Sequence, residues 1–149
     1  CGSNDPLRHC SQDRNWVRLL HDALEVQLNG SVRVEASIYA KNSVGPSFFR
    51  FCVREYLYAD TDVVLIEIMQ NMFGERTEKG GVAHGLSLLL YSLRRAAPSA
   101  VPVFVVWLLP ADIKHWHASR LYAELFAAAE FHGADLIDVP ALLSLHGTA

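Results

Sequence analysis

The sequence predicts an α/β fold, a three-layer α/β/α sandwich built around a parallel sheet. Three observations carry that reading. Residues 62–68 (Asp-Val-Val-Leu-Ile-Glu-Ile) form a short apolar run rich in β-branched side chains, the pattern of a strand buried on both faces. A second such run, Val-Phe-Val-Val-Trp-Leu, lies within 101–108. Helix-period segments alternate with the strand-like runs along the chain, and that order demands parallel pairing through right-handed crossovers.

Each element has its own local justification. Residues 13–28 place Trp16, Val17, Leu19, Leu20, Ala23, Leu24 and Leu28 at helical spacing, with Asp13 near the N-cap and Asn29-Gly30 as the stop. Residues 31–38 alternate Val32, Val34, Ala36 and Ile38 against Arg33, Glu35 and Ser37, which predicts a strand with one polar face. After a loop ending at Pro46, a helix is expected over about 47–57. Strand 62–68 runs into a polar loop containing Gly74, Glu75, Lys79 and Gly80-Gly81. A helix over 82–97 is bounded by Pro98, and strand 101–108 stops before Pro110. The helix over 113–132 ends at Gly133, a natural residue for a left-handed C-cap. A last short strand over 136–139 precedes Pro140, which suits the first turn of a final helix.

At 149 residues the chain reads as a single domain long enough to bury a sizeable core. Apolar residues make up 51% and charged residues 19%, which excludes a disordered chain. The net charge of −3, with its basic residues scattered, excludes a nucleic-acid footprint. The one basic pair, Arg94-Arg95, falls near a helix end, where cations suit the macrodipole. No apolar run approaches the ~20 residues needed to span a bilayer.

Cys1, Cys10 and Cys52 are an odd set without metal-ligand spacing. Cys52, on an apolar helix face, is expected to be a core thiol. Cys1 and Cys10 lie in a polar stretch and can pair in an oxidising compartment. Asn29-Gly30-Ser31 is a glycosylation sequon at an expected turn. These features lean towards a secretory or luminal setting.

Several segments together resemble the SGNH (GDSL-type) hydrolases, a flavodoxin-like family of esterases, lipases, acetylesterases and thioesterases. Val64-Leu65-Ile66-Glu67-Ile68-Met69-Gln70-Asn71 is similar to the family's third block: an apolar strand, an acidic residue, then Asn two or three residues later. Val34-Glu35-Ala36-Ser37-Ile38-Tyr39-Ala40-Lys41-Asn42-Ser43 is similar to the second block, a strand entering a small-residue loop. Phe104-Val105-Val106-Trp107-Leu108-Leu109-Pro110 resembles the fourth strand, and Trp16 stands where the family often has Trp in its first helix. The chain departs from the pattern in two places. Met72 follows Asn71 where the family has Asp, and the second block offers Ala40, or Gly45 further on, where the family has Gly.

The resemblance implies an acyl-serine mechanism. A Ser nucleophile needs a His to take its proton, and an Asp to hold that His in the right tautomer. Donors already aimed at the developing oxyanion complete the site. On this chain the implied donors are the Asn71 side-chain amide and the backbone N–H of Ala40 or Gly45. Ser3, in Cys1-Gly2-Ser3-Asn4, is the candidate nucleophile; otherwise the nucleophile precedes Cys1. Nothing after Val139 matches the family's Asp-x-x-His-Pro block, and His146 has no Asp three residues before it, so the implied Asp and His lie beyond Ala149. The expectation is therefore a domain incomplete at both ends and lacking its first, central strand. Strand 32–38 would then either stand two strand spacings from strand 62–68 or pair with it directly.

Other polar residues have plainer readings. Glu67 is expected to accept loop N–H groups. His115 and His117 flank Trp116 and point to different faces, so they do not make a metal pair. His84 and His132 read as satisfied or dipole-stabilised helix-end histidines. Phe48, Phe49, Phe51 and Tyr56 read as core packing. The expected function is hydrolysis of a carbohydrate or lipid ester, with a small-molecule or carbohydrate ester as substrate and neither metal nor organic cofactor. The competing expectation is a non-catalytic flavodoxin-like binding domain that has lost the triad. A Rossmann nucleotide-binding domain is a third and weaker expectation, because no Gly-rich loop follows a strand at the required spacing.

Overall fold

Three of the four expected strands assemble, all parallel, into one sheet. The computed structural model describes residues 16–39, 44–68, 72, 81–107 and 118–145. The chain divides into two compact units, Cys1–Asn42 and Ser43–Ala149.

In the first unit, α1 (Trp16–Gln27) carries its apolar residues at helical spacing, and none of them is fully buried. The chain then turns through Asn29 and Gly30, both at positive φ. Residues 33–39 do not form the expected strand. At Val34, side chains of α1 supply the partners that a neighbouring strand would have offered. The Val34 N–H donates to Glu25 Oε1 at 2.7 Å, and the Val34 carbonyl accepts from His21 Nε2 at 3.2 Å. Side-chain bonds of this kind compete with ladder formation wherever polar groups stand close to the backbone. The alternation that predicted a strand leaves Val32 and Ala36 exposed and Val34 and Ile38 half-buried.

The second unit contains α2 (Pro46–Tyr56), β1 (Val63–Ile66), α3 (Gly81–Ala96), β2 (Val101–Val106), α4 (Arg120–His132), β3 (Asp135–Asp138) and α5 (Val139–Leu145). The sheet runs in the order β1-β2-β3. Val63 lies opposite Val101 and Ile66 opposite Phe104; Val103 lies opposite Asp135 and Val106 opposite Asp138. Pro102 is tolerated in the central strand for a geometric reason. Val101 donates its N–H to Asp62 on the β1 side, so the donor that Pro102 lacks would face β3, which begins its pairing only at Val103.

The two faces of this sheet differ. Val64, Ile66, Phe104, Val106 and Leu136 point to the face covered by α2, α3 and α4. There they pack with Val53, Val82, Leu86, Leu90, Leu93, Leu121 and Leu125 in one contiguous core. On the opposite face Val103 and Val105 are buried. Val63 and Leu65 remain 54% and 36% exposed there, and Val101 and Ile137 are also exposed. The described architecture is thus mixed α/β with a small open parallel sheet.

The helix expected over 113–132 starts later than that: residues 118 and 119 form a turn, and α4 begins at Arg120. Ser119 caps α4, its hydroxyl accepting the Tyr122 N–H at 3.1 Å. Gly133 closes α4 at φ 60°, where L side chains are strained. Asp138 opens α5 by accepting the Ala141 N–H at 3.0 Å, and Pro140 occupies the first turn. Phe51 departs from the expected core packing: it is exposed, with the Arg50 guanidinium 4.4 Å above its ring. Cys52 also differs from expectation. It is buried, as anticipated, but disulfide-bonded rather than a free thiol. Cys1 and Cys10, the chain's other cysteines, lie outside the described residues.

Candidate functional site at the carboxyl rim of the sheet

In open parallel sheets, ligands sit beyond the carboxyl ends of the strands, because the crossover loops and helix N-termini converge there. On this chain that rim follows Ile66 of β1 and Val106 of β2, and the connections lead to the N-termini of α3 and α4. Glu67 is the first residue past β1 and Trp107 the first past β2. Trp107 is exposed. Glu67 keeps contact with solvent, but partial burial raises its carboxyl above the ordinary value of 4.5 by disfavouring the charged form. Ile68 and Met72 turn inward, and Met72 is 0% exposed.

The N-termini of α3 and α4 meet through a carboxylate. Glu124 Oε2 accepts the Ala83 N–H at 3.3 Å, and Glu124 Oε1 accepts from Arg120 Nε at 2.6 Å. A carboxylate at a helix N-terminus satisfies an orphan donor and complements the positive end of the dipole. This pair was faintly marked in the sequence. Its signals were an i,i+4 Arg–Glu spacing and a helix α3 with no acidic residue in its own first turn. The arrangement is a cap, and the carboxylate occupies the donor that an anionic ligand would need.

The residues named from sequence fare as follows. Ser3, Ala40 and Asn71 lie outside the described residues, as do His115, His117 and His146. Gly45 is described. It is buried at the N-cap of α2 in extended backbone, and its carbonyl accepts from the N–H groups of Phe48 at 3.1 Å and Phe49 at 3.4 Å. Its role there is helix entry, made firm by Pro46 in the first turn. His84 is exposed on the first turn of α3.

His132, expected to be either satisfied or dipole-stabilised, lies in the last turn of α4. Its Nε2 is enclosed with no hydrogen-bond partner among the described residues. Burial, and then the positive charge of Arg94, hold its pKa below the ordinary 6.5. Arg94 reaches across from the last turn of α3 to donate to the His132 carbonyl. His21 behaves in the opposite way. Its two ring nitrogens lie 3.2 Å from Asp22 Oδ1 and 3.2 Å from the Val34 carbonyl. Those bonds, with the Asp22 bond the larger effect, raise its pKa, because both acceptors favour the doubly protonated ring.

Among the described residues no group of three His, Cys, Asp or Glu side chains is placed to hold a metal ion. Among the same residues no helix is long and apolar enough to cross a membrane. No protein family, curated protein or solved structure matches the chain.

Proposed function

We propose that this chain derives from an SGNH-type serine ester hydrolase that acts on a carbohydrate or lipid ester through an acyl-serine intermediate. The observation that carries the proposal is the third block on its strand. The apolar run ending in Ile66 is parallel to β2, and Glu67 follows at the carboxyl rim, four residues before Asn71. The order β1-β2-β3 with intervening helices also agrees with the last three strands of a flavodoxin-like 2-1-3-4-5 sheet. In this reading Asn71 offers its amide to the oxyanion, with Gly45 or Ala40 as a backbone donor and Ser3 as the candidate nucleophile.

One observation favours the second reading, a non-catalytic binding domain on the same scaffold. Met72 is sealed in the core where the family pattern has Asp, and a charged carboxylate could not occupy that place without a large desolvation cost.

The test, made on the full-length natural protein, is labelling by a fluorophosphonate probe together with hydrolysis of p-nitrophenyl acetate. The enzymatic reading expects one labelled serine, identified by peptide mapping. It also expects Asn71→Ala to lower kcat by about 10²–10³, the usual cost of one oxyanion donor. Absence of both labelling and turnover in the folded protein would leave the binding-domain reading standing.

A further inference from the structure

The sequon Asn29-Gly30-Ser31 occupies an exposed turn that closes α1. The helix carries on to Leu28, whose N–H donates to the Leu24 carbonyl at 2.9 Å. Asn29 then enters the left-handed region at φ 49°, and its N–H donates to Val26 at 3.2 Å. Asn is among the few residues with a side chain that adopt this conformation readily. Gly30 follows at φ 70°, and a Cβ built there would meet nothing within 4 Å, so the space outside the turn is open. Ser31 folds back, its N–H and its hydroxyl both donating to the Leu28 carbonyl at 2.9 and 2.5 Å. All three residues are exposed.

A second, independent observation bears on the compartment. Cys52 is disulfide-bonded, although it lies buried on α2. Disulfides persist in oxidising compartments and are rare where glutathione keeps thiols reduced. The eukaryotic oxidising compartment is also where oligosaccharides are transferred to Asn-x-Ser/Thr.

We propose that Asn29 is an N-glycosylation site and that the chain matures along an oxidising secretory route. The donor is a lipid-diphosphate-linked oligosaccharide, supplied with its transferase by the cell. Asn29 Nδ2 forms the new bond to the anomeric carbon while the bond from that carbon to the diphosphate oxygen breaks. The lipid diphosphate leaves with the electron pair, and the amide proton passes to a base of the transferase. The glycan would lie between Val26, 75% exposed at the end of α1, and Val32, 54% exposed just past the turn. A bulky polar group there shields two apolar side chains that the fold leaves in water.

The experiment uses the protein recovered from its own cells and from secretory expression. The expected result is a mobility shift removed by peptide N-glycosidase F, leaving Asp at position 29 in the mapped peptide. Ser31→Ala should abolish the shift and Ser31→Thr should retain it; neither alters residue 29, so neither tests its backbone strain. A non-reducing peptide map should find Cys52 in a disulfide. An unmodified Asn29 peptide in protein whose Cys52 is oxidised would overturn the site. A free Cys52 in the native protein would overturn the compartment argument.

Discussion

Glu124 on α4 reaches across to the amino end of α3, where its Oε2 accepts the Ala83 backbone N–H at 3.3 Å. The contact joins two helices at the rim where both crossovers begin, and it supplies α3 with the acidic group that its own first turn lacks. Arg120 holds the other carboxylate oxygen at 2.6 Å but is itself 90% exposed, against 20% for Glu124. The carboxylate therefore matters to the fold more than its cationic partner does.

Replacing Glu124 by Ala should cost about 1–2 kcal/mol, the range for losing a helix-capping acceptor. Arg120→Ala should cost less than about 0.5 kcal/mol, because an exposed ion pair contributes little. Urea denaturation at constant slope measures both. Equal losses for the two variants would show that the ion pair, and not the cap, carries the effect.

His132 should make the protein less stable in mild acid. Its folded pKa is depressed, so the unfolded chain binds the proton more readily. The stabilisation is complete above the ordinary value of 6.5 and is lost as pH falls through the folded pKa. The effect is modest, since the ring keeps part of its surface in solvent. Denaturation midpoints from pH 8 to 5 should fall less steeply in His132→Gln than in the unaltered protein. Parallel curves would remove His132 as the cause.

His21 has the opposite sign. Its folded pKa is raised, first by Asp22 and then by the Val34 carbonyl, so its contribution is full below 6.5 and lost as pH rises through the folded pKa. The bond to the Val34 carbonyl should be populated at low pH and weaken above neutrality. Proton NMR should find the His21 ring titrating above an unstructured histidine. Asp22→Asn should move that titration down, and no movement would mean that Asp22 is not its main partner.

Core and surface positions on α4 should separate cleanly. Leu125 is 0% exposed and Phe131 is 83% exposed. Leu125→Ala should cost about 2–5 kcal/mol through lost burial and a residual cavity. Phe131→Ala should stay within about 0.5 kcal/mol. Thermal and urea midpoints compare the two directly, and a large loss at Phe131 would reveal that its ring is covered in solution.

Local chemistry was enough to read much of this chain. The apolar runs at 62–68 and 101–108 announced β1 and β2, but only β2 is covered on both faces as such a run suggests; Val63 and Leu65 leave one face of β1 exposed. Gly133, Pro140 and the Leu-rich period of α3 marked their elements because caps and helical faces are decided within a few residues. The expected strand over 31–38 failed for the same reason that the others succeeded. A strand exists only if another backbone completes its hydrogen bonds, and here the side chains of His21 and Glu25 engage those of Val34. The disulfide at Cys52, the enclosed Nε2 of His132 and the reach of Glu124 to Ala83 likewise depend on residues far apart in the chain. Only folding decides which distant groups meet, so alternation and spacing could name the segments but not their partners.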